Sequence, residues 1–279
     1  MDKNDKYCAA LVRESGRERY LATLFAPAES RSALFSLYAF DIEISRIRDL
    51  AREPMPGEIR LQWWREVLEG ERAGEAAANP VSAALLVTLA RHRLAAEKLT
   101  GLLEAHRFDV YDEPMPTVAA LQSYASDTAG AIFDCASRIL GVASEEIAVE
   151  AGQVQTIANV IALLPRHAAR RQLFVPLDLL RQYGSGPNEI FALQASAELR
   201  AVLAELRLRA RRHLTRIAAL SAHIPEKIWP AFLSLAPLRP WLNAMENAAY
   251  QPFRPPELPT WRQQWRIWRA AKSLKRIGR

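Results

Sequence analysis

The sequence predicts an all-α fold, a bundle of helices around a central space, and three observations carry that expectation. Apolar residues recur at three- and four-residue spacing through most of the chain. Residues that start and stop helices flank those stretches, and no run alternates apolar with polar residues as a half-buried strand would. With 279 residues, half of them hydrophobic, the chain can bury the core of one large domain or two small ones.

Taken in order, the stretch from Ser30 to Ala51 has apolar residues at 34, 37, 38, 40, 44 and 47, and Pro27 with Ser30 suits its start. A second helix runs through LQWWREVLEGE after a cap-like break at Pro56 and Gly57. Asn79 followed by Pro80 is a strong N-cap and first-turn pair for the helix in NPVSAALLVTLARHRL. AEKLTGLLEAHRFDVY, TVAALQSYASDTAGAIFDCASRILG and EIAVEAGQVQTIANVIALL follow, the second stopping at Gly141. VPLDLLRQYG, the arginine-rich AELRAVLAELRLRARRHLTRIAAL and the shorter IWPAFLSLAP complete a body spanning 1–250. The proline-rich QPFRPPELP, within 251–260, reads as a linker to a tail of residues 261–279.

The positive charge is concentrated in that tail. The chain carries +6 overall; the last nineteen residues hold seven Lys and Arg and no acid, which leaves −1 on the rest. On a helical wheel Trp261, Trp265 and Trp268 share one stripe, with Ile267, Ala271 and Leu274 beside it and Arg262, Arg266, Arg269 and Arg276 on the opposite flank. Tryptophan at headgroup depth beside arginine is the pattern of a helix lying on an anionic membrane. The competing arrangement docks the tryptophans on the body and leaves the arginines in water. Nothing elsewhere in the chain supports nucleic-acid binding. The polar N-terminal stretch and the lack of eighteen consecutive apolar residues predict a protein that is neither secreted nor membrane-spanning. Cys8 and Cys135, far apart and without a metal-type spacing, predict reduced core thiols, and the expectation is a cytoplasmic, peripherally membrane-associated protein.

One segment breaks the helical pattern. LLPRHAARRQLFVP, residues 163–176, places a proline, a histidine and several arginines together without a carboxylate. Arg166, Arg170 and Arg171 match phosphate geometry and are candidates for binding a phosphate or lipid headgroup directly. His167 is a poor candidate for a general base, since neighbouring positive charge lowers its pKa and the segment has no acid to orient it. Trp63 and Trp64 are expected in the core.

PAESRSALFSLYAF, LQWWREVLEG, NPVSAAL, FDVYDEP and LQSYASDTAGAIF, in this order, resemble the squalene and phytoene synthase family. The resemblance implies an isoprenoid-synthase-type bundle around a cavity, where the family uses two aspartate-rich motifs to hold magnesium against diphosphate. The first motif, Asp-Asp-x-x-Asp, falls on SRIRD, so Ser45 and Arg46 replace the leading aspartates and Asp49 remains. Asp41 lies upstream, and Asp41 and Asp49 would stand about 12 Å apart along an uninterrupted helix, too far to close on one ion. In the second motif the aspartate positions fall on Leu163 and His167, the glutamate on Arg166 and the arginine on Ala162. The pattern P-x-H-x-x-R-R-x-x-F-x-P, with PAESRS and AF-x-x-E-I, is similar to an atypical branch of the family whose mitochondrial member assists assembly of respiratory complex I. The resemblance therefore implies a factor with no catalytic residues assigned, and with Ser45, Asp49, Leu163 and His167 as degenerate motif positions. It implies no metal or cofactor, an isoprenoid or lipid ligand near Asp49 and the arginines, the inner face of a membrane, and a respiratory-complex subunit as partner. The alternative is a divergent prenyltransferase that condenses isoprenyl diphosphates with magnesium.

Overall fold

The helices predicted from apolar spacing form, and their lengths follow the capping residues. The computed structural model describes residues 2–51, 53–111, 113–247 and 249–278. Asp112 of the FDVYDEP block and Arg279 at the end of the tail lie outside the described residues. Among the described residues the β structure amounts to one isolated bridge between Gln251 and Arg254.

The helix Ala28–Ser45 is an inner element. Leu34, Leu37, Tyr38 and Phe40 are all buried, which takes in more than one face of the helix. Its buried Ser36 is satisfied by the Thr88 hydroxyl at 2.7 Å, so the polar group costs the core little. Trp64, on the helix Pro54–Glu69, presents its ring edge-on to Phe40 at 5.0 Å, an arrangement worth about 0.5–1.5 kcal/mol beyond area burial. Trp63 is half-buried at the edge of the core, T-shaped to Trp64 at 5.1 Å, and its indole donates to Glu75 at 2.9 Å. The expected break at Pro56 and Gly57 does not occur, because the helix already begins at Pro54. Amide groups of the first turn have no intrahelical acceptor, so Pro54 and Pro56 there forfeit no hydrogen bond. Asn79 caps the helix Pro80–His92 as predicted, accepting from the amides of Val81 and Ser82 at 2.8 and 3.1 Å.

The stretch expected as one helix from Thr117 to Gly141 has an internal π turn. Val118–Ala125 and Ala131–Ile139 are α-helical, and Ser126–Gly130 widens between them. The widening occurs where the backbone meets the central helix Glu145–Ala162. A Cβ on Gly152 of that helix would come within 2.6 Å of the Gly130 nitrogen and 2.7 Å of the Ala125 carbonyl. The central helix is buried along most of its length, between these segments and the long helix Ala197–Leu220. Its buried Glu150 accepts from His213 of the long helix at 2.6 Å and pairs with Arg216 at 3.1 Å. IWPAFLSLAP, expected to be α-helical, forms 3-10 turns at Glu226–Ala231 and Leu233–Leu235, since Pro230 has no amide to donate and its ring obstructs the preceding turn. Cys8 and Cys135 are free and buried as predicted.

The C-terminal region departs from the linker-and-tail expectation. The proline-rich stretch is packed on the body: Trp241 donates to the Pro256 carbonyl at 2.7 Å, and Arg200 anchors the residue just before the stretch through the Tyr250 carbonyl at 2.6 Å. The tail helix Thr260–Ala271 lies on the helix Arg17–Thr23 and the turn Leu233–Leu235. The final turn, Leu274–Gly278, packs on the long helix so closely that a Cβ on Gly278 would lie 2.6 Å from that of Ala218. Ile267, Ala270, Leu274 and Ile277 are almost wholly buried, whereas Trp261, Trp265 and Trp268 remain 63%, 44% and 48% exposed. The aliphatic residues, not the tryptophans, dock the tail. The basic groups do not keep to an opposite flank either, because they fold over the rings: Arg269 lies 4.5 Å from the Trp265 centroid and Lys272 lies 3.8 Å from that of Trp268. Among the described residues no helix is long and apolar enough to cross a membrane.

Candidate functional site

A cavity of about 1040 Å³ opens between the helix Ala28–Ser45, the one-turn helix Ile47–Leu50, the central helix and the short helix Leu164–Ala169. The proline-rich stretch closes one side through Arg254, Pro255, Pro256 and Leu258, and Thr260 and Gln263 of the tail helix continue that wall. The supposed spacer is thus part of the cavity.

Two helix breaks position the polar side chains. The first falls at Arg46, so Asp41, Ser45 and Asp49 are not carried on one uninterrupted helix; all three still line the cavity. Ser45 donates to the Ile42 carbonyl at 3.2 Å, and Arg46 turns to the Ser15 hydroxyl at 2.6 Å. The second break falls at Leu163, after which Pro165 sits in the first turn of the next helix, where its missing amide costs nothing. Arg166 and Arg170 are four residues apart and share a face of that turn. Each grips one oxygen of the Asp49 carboxylate.

Asp49 is therefore held by two arginines of the basic segment 163–176. Arg171 is not part of this clamp. It has a left-handed backbone, with φ of 57°, and its guanidinium turns onto the Phe191 ring at 4.9 Å. Leu163 lines the cavity and is partly exposed. His167 also lines it, with its ring against Phe174 at 4.6 Å. Burial lowers the His167 pKa to about 4; the charge of Asp109 opposes that shift, and those of Arg166 and Arg170 add to it.

A second polar group was not singled out from the sequence. Asp109 takes the His106 ring nitrogen at 2.6 Å and the Tyr124 hydroxyl at 2.9 and 3.0 Å, and its carbonyl accepts from Gln172 at 3.0 Å. Burial disfavours a charged His106, but the charge and hydrogen bond of Asp109 outweigh it and raise the pKa. Burial, with Asp109 beside it, drives the Tyr124 pKa well up. Arg19 pairs with Asp41 and stacks on Tyr38 at 5.2 Å. Asp109 and Tyr124 do lie in the FDVYDEP and LQSYASDTAG blocks, which was the available signal. Their pairing needs two segments brought together in space.

Chemically, the cavity wall offers three aspartates already paired, Asp41 with Arg19, Asp49 with Arg166 and Arg170, and Asp109 with His106 and Tyr124, and guanidiniums partly open to solvent. The donor set does not fit magnesium, which asks for a near-octahedral shell of oxygens. Both Asp49 oxygens are engaged by cations, and among the described residues no group of three or more His, Cys, Asp or Glu side chains could hold a metal ion.

Comparison with known proteins agrees with this architecture. A family model described as squalene/phytoene synthase matches residues 12–269. "NADH dehydrogenase (ubiquinone) complex I, assembly factor 6" of Bos taurus is 28% identical over 254 residues, covering 90% of this chain and 76% of that protein. The 15-cis-phytoene synthase of Synechococcus elongatus is 23% identical over 273 residues, covering 92% of this chain and 88% of the synthase. Among solved structures, squalene synthase HpnC from Alicyclobacillus acidocaldarius superposes with a TM-score of 0.75 at 24% identity, over 87% of this chain and 93% of that one, a likeness of fold.

Proposed function

The chain belongs to the squalene/phytoene synthase family, and from that premise we propose that it is a non-catalytic factor supporting biogenesis of respiratory complex I at a membrane surface. The observation that carries this reading is the clamp of Arg166 and Arg170 on Asp49. Release of diphosphate needs strong stabilisation of the departing negative charge, which family members obtain from metal ions. A metal at Asp49 would have to displace two guanidiniums and would find no carboxylate in the segment opposite. The similarity to complex I assembly factors over most of the chain supports the same reading.

In this role the bundle is a binding module. Its cavity takes an isoprenoid or lipid whose phosphate meets Arg166 and Arg170 without magnesium. The exposed tryptophans and stacked cations of the tail helix rest on the anionic inner face of the membrane, where each basic residue contributes about 1 kcal/mol. The rival reading is a prenyltransferase, favoured by the phytoene synthase relative. The two separate on deletion of the gene in its own host. We expect assembled complex I on native gels to fall severalfold and NADH oxidation by membranes to fall with it, while other respiratory complexes stay near normal. Normal complex I with loss of a polyisoprenoid product is the outcome that transfers support to the prenyltransferase.

A further inference from the structure

Asp49 sits where an external anion would otherwise sit. We propose that Asp49 is a built-in occupant of an anion site made by Arg166 and Arg170, and that the ligand of this site is an amphiphile with a phosphate or diphosphate head that enters by displacing Asp49. The proposal rests on the reading above that the cavity binds anions without metal.

The geometry is that of a filled site. Two guanidiniums from one helix face converge on a single carboxylate, one to each oxygen, as they would on two oxygens of a phosphate. The clamp is exchangeable, because the side chains of Asp49, Arg166 and Arg170 are 23%, 45% and 30% exposed, and ion pairs open to solvent are weakly held. Asp49 lies on the single turn Ile47–Leu50 just after a helix break, so its displacement does not require a long helix to move.

Charge favours the exchange. Asp49 brings one negative charge against two positive ones, while a phosphate monoester brings about 1.5 to 2 at neutral pH. His167, with its pKa lowered to about 4, is neutral at that pH, so the two arginines supply the positive charge of the clamp. The apolar wall indicates what the phosphate is attached to. Ile42, Val160, Leu163, Phe174, Leu238 and Trp241 line the same cavity, whose volume of about 1040 Å³ far exceeds the needs of an inorganic ion.

The test is calorimetry on the full-length protein in EDTA, with inorganic pyrophosphate and dodecyl phosphate as probes. Removing the occupant should strengthen binding: Asp49→Asn should bind both probes about tenfold tighter than wild type, the scale set by one charge-assisted hydrogen bond. Dodecyl phosphate should bind more tightly than pyrophosphate. Adding Arg166→Gln and Arg170→Gln to Asp49→Asn should abolish the gain. Asp49→Ser serves as a second form of the experiment if melting shows that the asparagine variant is not folded. Unchanged or weaker affinity in folded Asp49 variants overturns the proposal. A parallel titration with magnesium in place of EDTA guards the other side: wild-type binding seen only with magnesium and lost in Asp49→Asn also overturns the proposal, since it would make Asp49 a metal ligand. Equal affinity for the two probes overturns the amphiphile assignment. A negative result here alongside complex I loss on gene deletion discards the occupant while the assembly role stands, so the two failures are distinguishable.

Discussion

His167 and His106 line one cavity and titrate in opposite directions because only one of them has a carboxylate partner. His106 is hydrogen-bonded to Asp109, which favours its charged form; His167 is packed against Phe174 beside two arginines, which favours the neutral ring. The consequences for stability follow from linkage. His106, with its folded pKa raised, stabilises the fold below about pH 6.5, and that contribution is lost as pH rises through the folded value. His167, with its folded pKa near 4, contributes stability that is present above about pH 6.5 and is lost as pH falls toward 4. The loss is bounded by roughly 3–4 kcal/mol, since the pKa falls from 6.5 to about 4 and each tenfold change in proton affinity is worth about 1.4 kcal/mol. Urea unfolding of wild type and His167→Gln at pH 7 and pH 4.5 should show the smaller loss of stability in the variant, since glutamine has no proton to gain. Equal losses would mean that His167 is not held neutral by the fold.

At the scale of elements, the central helix and the π turn approach each other backbone to backbone beside the cavity. Gly152 allows it by having no Cβ, and the turn carries Thr128 and Ala129 into the cavity wall. The neighbours of Gly152 are backbone atoms, which cannot rotate aside as a side-chain tip can. Gly152→Ala should therefore cost about 3 kcal/mol or more, the upper range for overpacking. Gly101, inside the helix Ala96–Val110 with nothing within 4 Å of its Cβ position, is the matched control. Gly101→Ala should stabilise by about 0.5–1 kcal/mol, because alanine is the better helix former. Parallel melting curves of the two variants check both signs.

For the whole molecule, the tail helix joins three regions: the core beneath it, the cavity at its start and the solvent on its outer face. Thr260 and Gln263 line the cavity, Ile267 and Ala270 enter the core, and Trp261, Trp265 and Trp268 face outward. The two faces should separate by mutation. Ile267→Asp buries a charge and should lower the melting temperature by ten degrees or so, a loss of about 3 kcal/mol or more. Replacing the three tryptophans with serine should leave melting within about two degrees, because surface changes cost little. The same triple variant should lose co-sedimentation with anionic vesicles. Wild-type sedimentation should weaken with salt, since charge interactions are screened beyond about 10 Å at 0.1 M. A triple variant that sediments like wild type would remove the membrane from the proposed function. At the scale of the cell, the gene deletion described above is the corresponding test.

The all-α class, the capped helix after Asn79, the span of the long helix Ala197–Leu220 and the absence of carboxylates from residues 163–176 were legible in the sequence by itself, because spacing, capping and residue type are local properties. So was the amphipathic character of the tail. Which side of the tail docks was decided only by the tertiary structure: tryptophan and isoleucine are both apolar, and it is the aliphatic face that the body buries. The proline-rich stretch has the composition of a spacer, yet it became a cavity wall once Trp241 and the core supplied partners for its carbonyls and rings. The pairing of Asp49 with Arg166 and Arg170 spans more than a hundred residues of chain and depends on two helix breaks that bring the segments face to face. Residue types along a chain specify which charges are available; the packing of helices determines which charges meet.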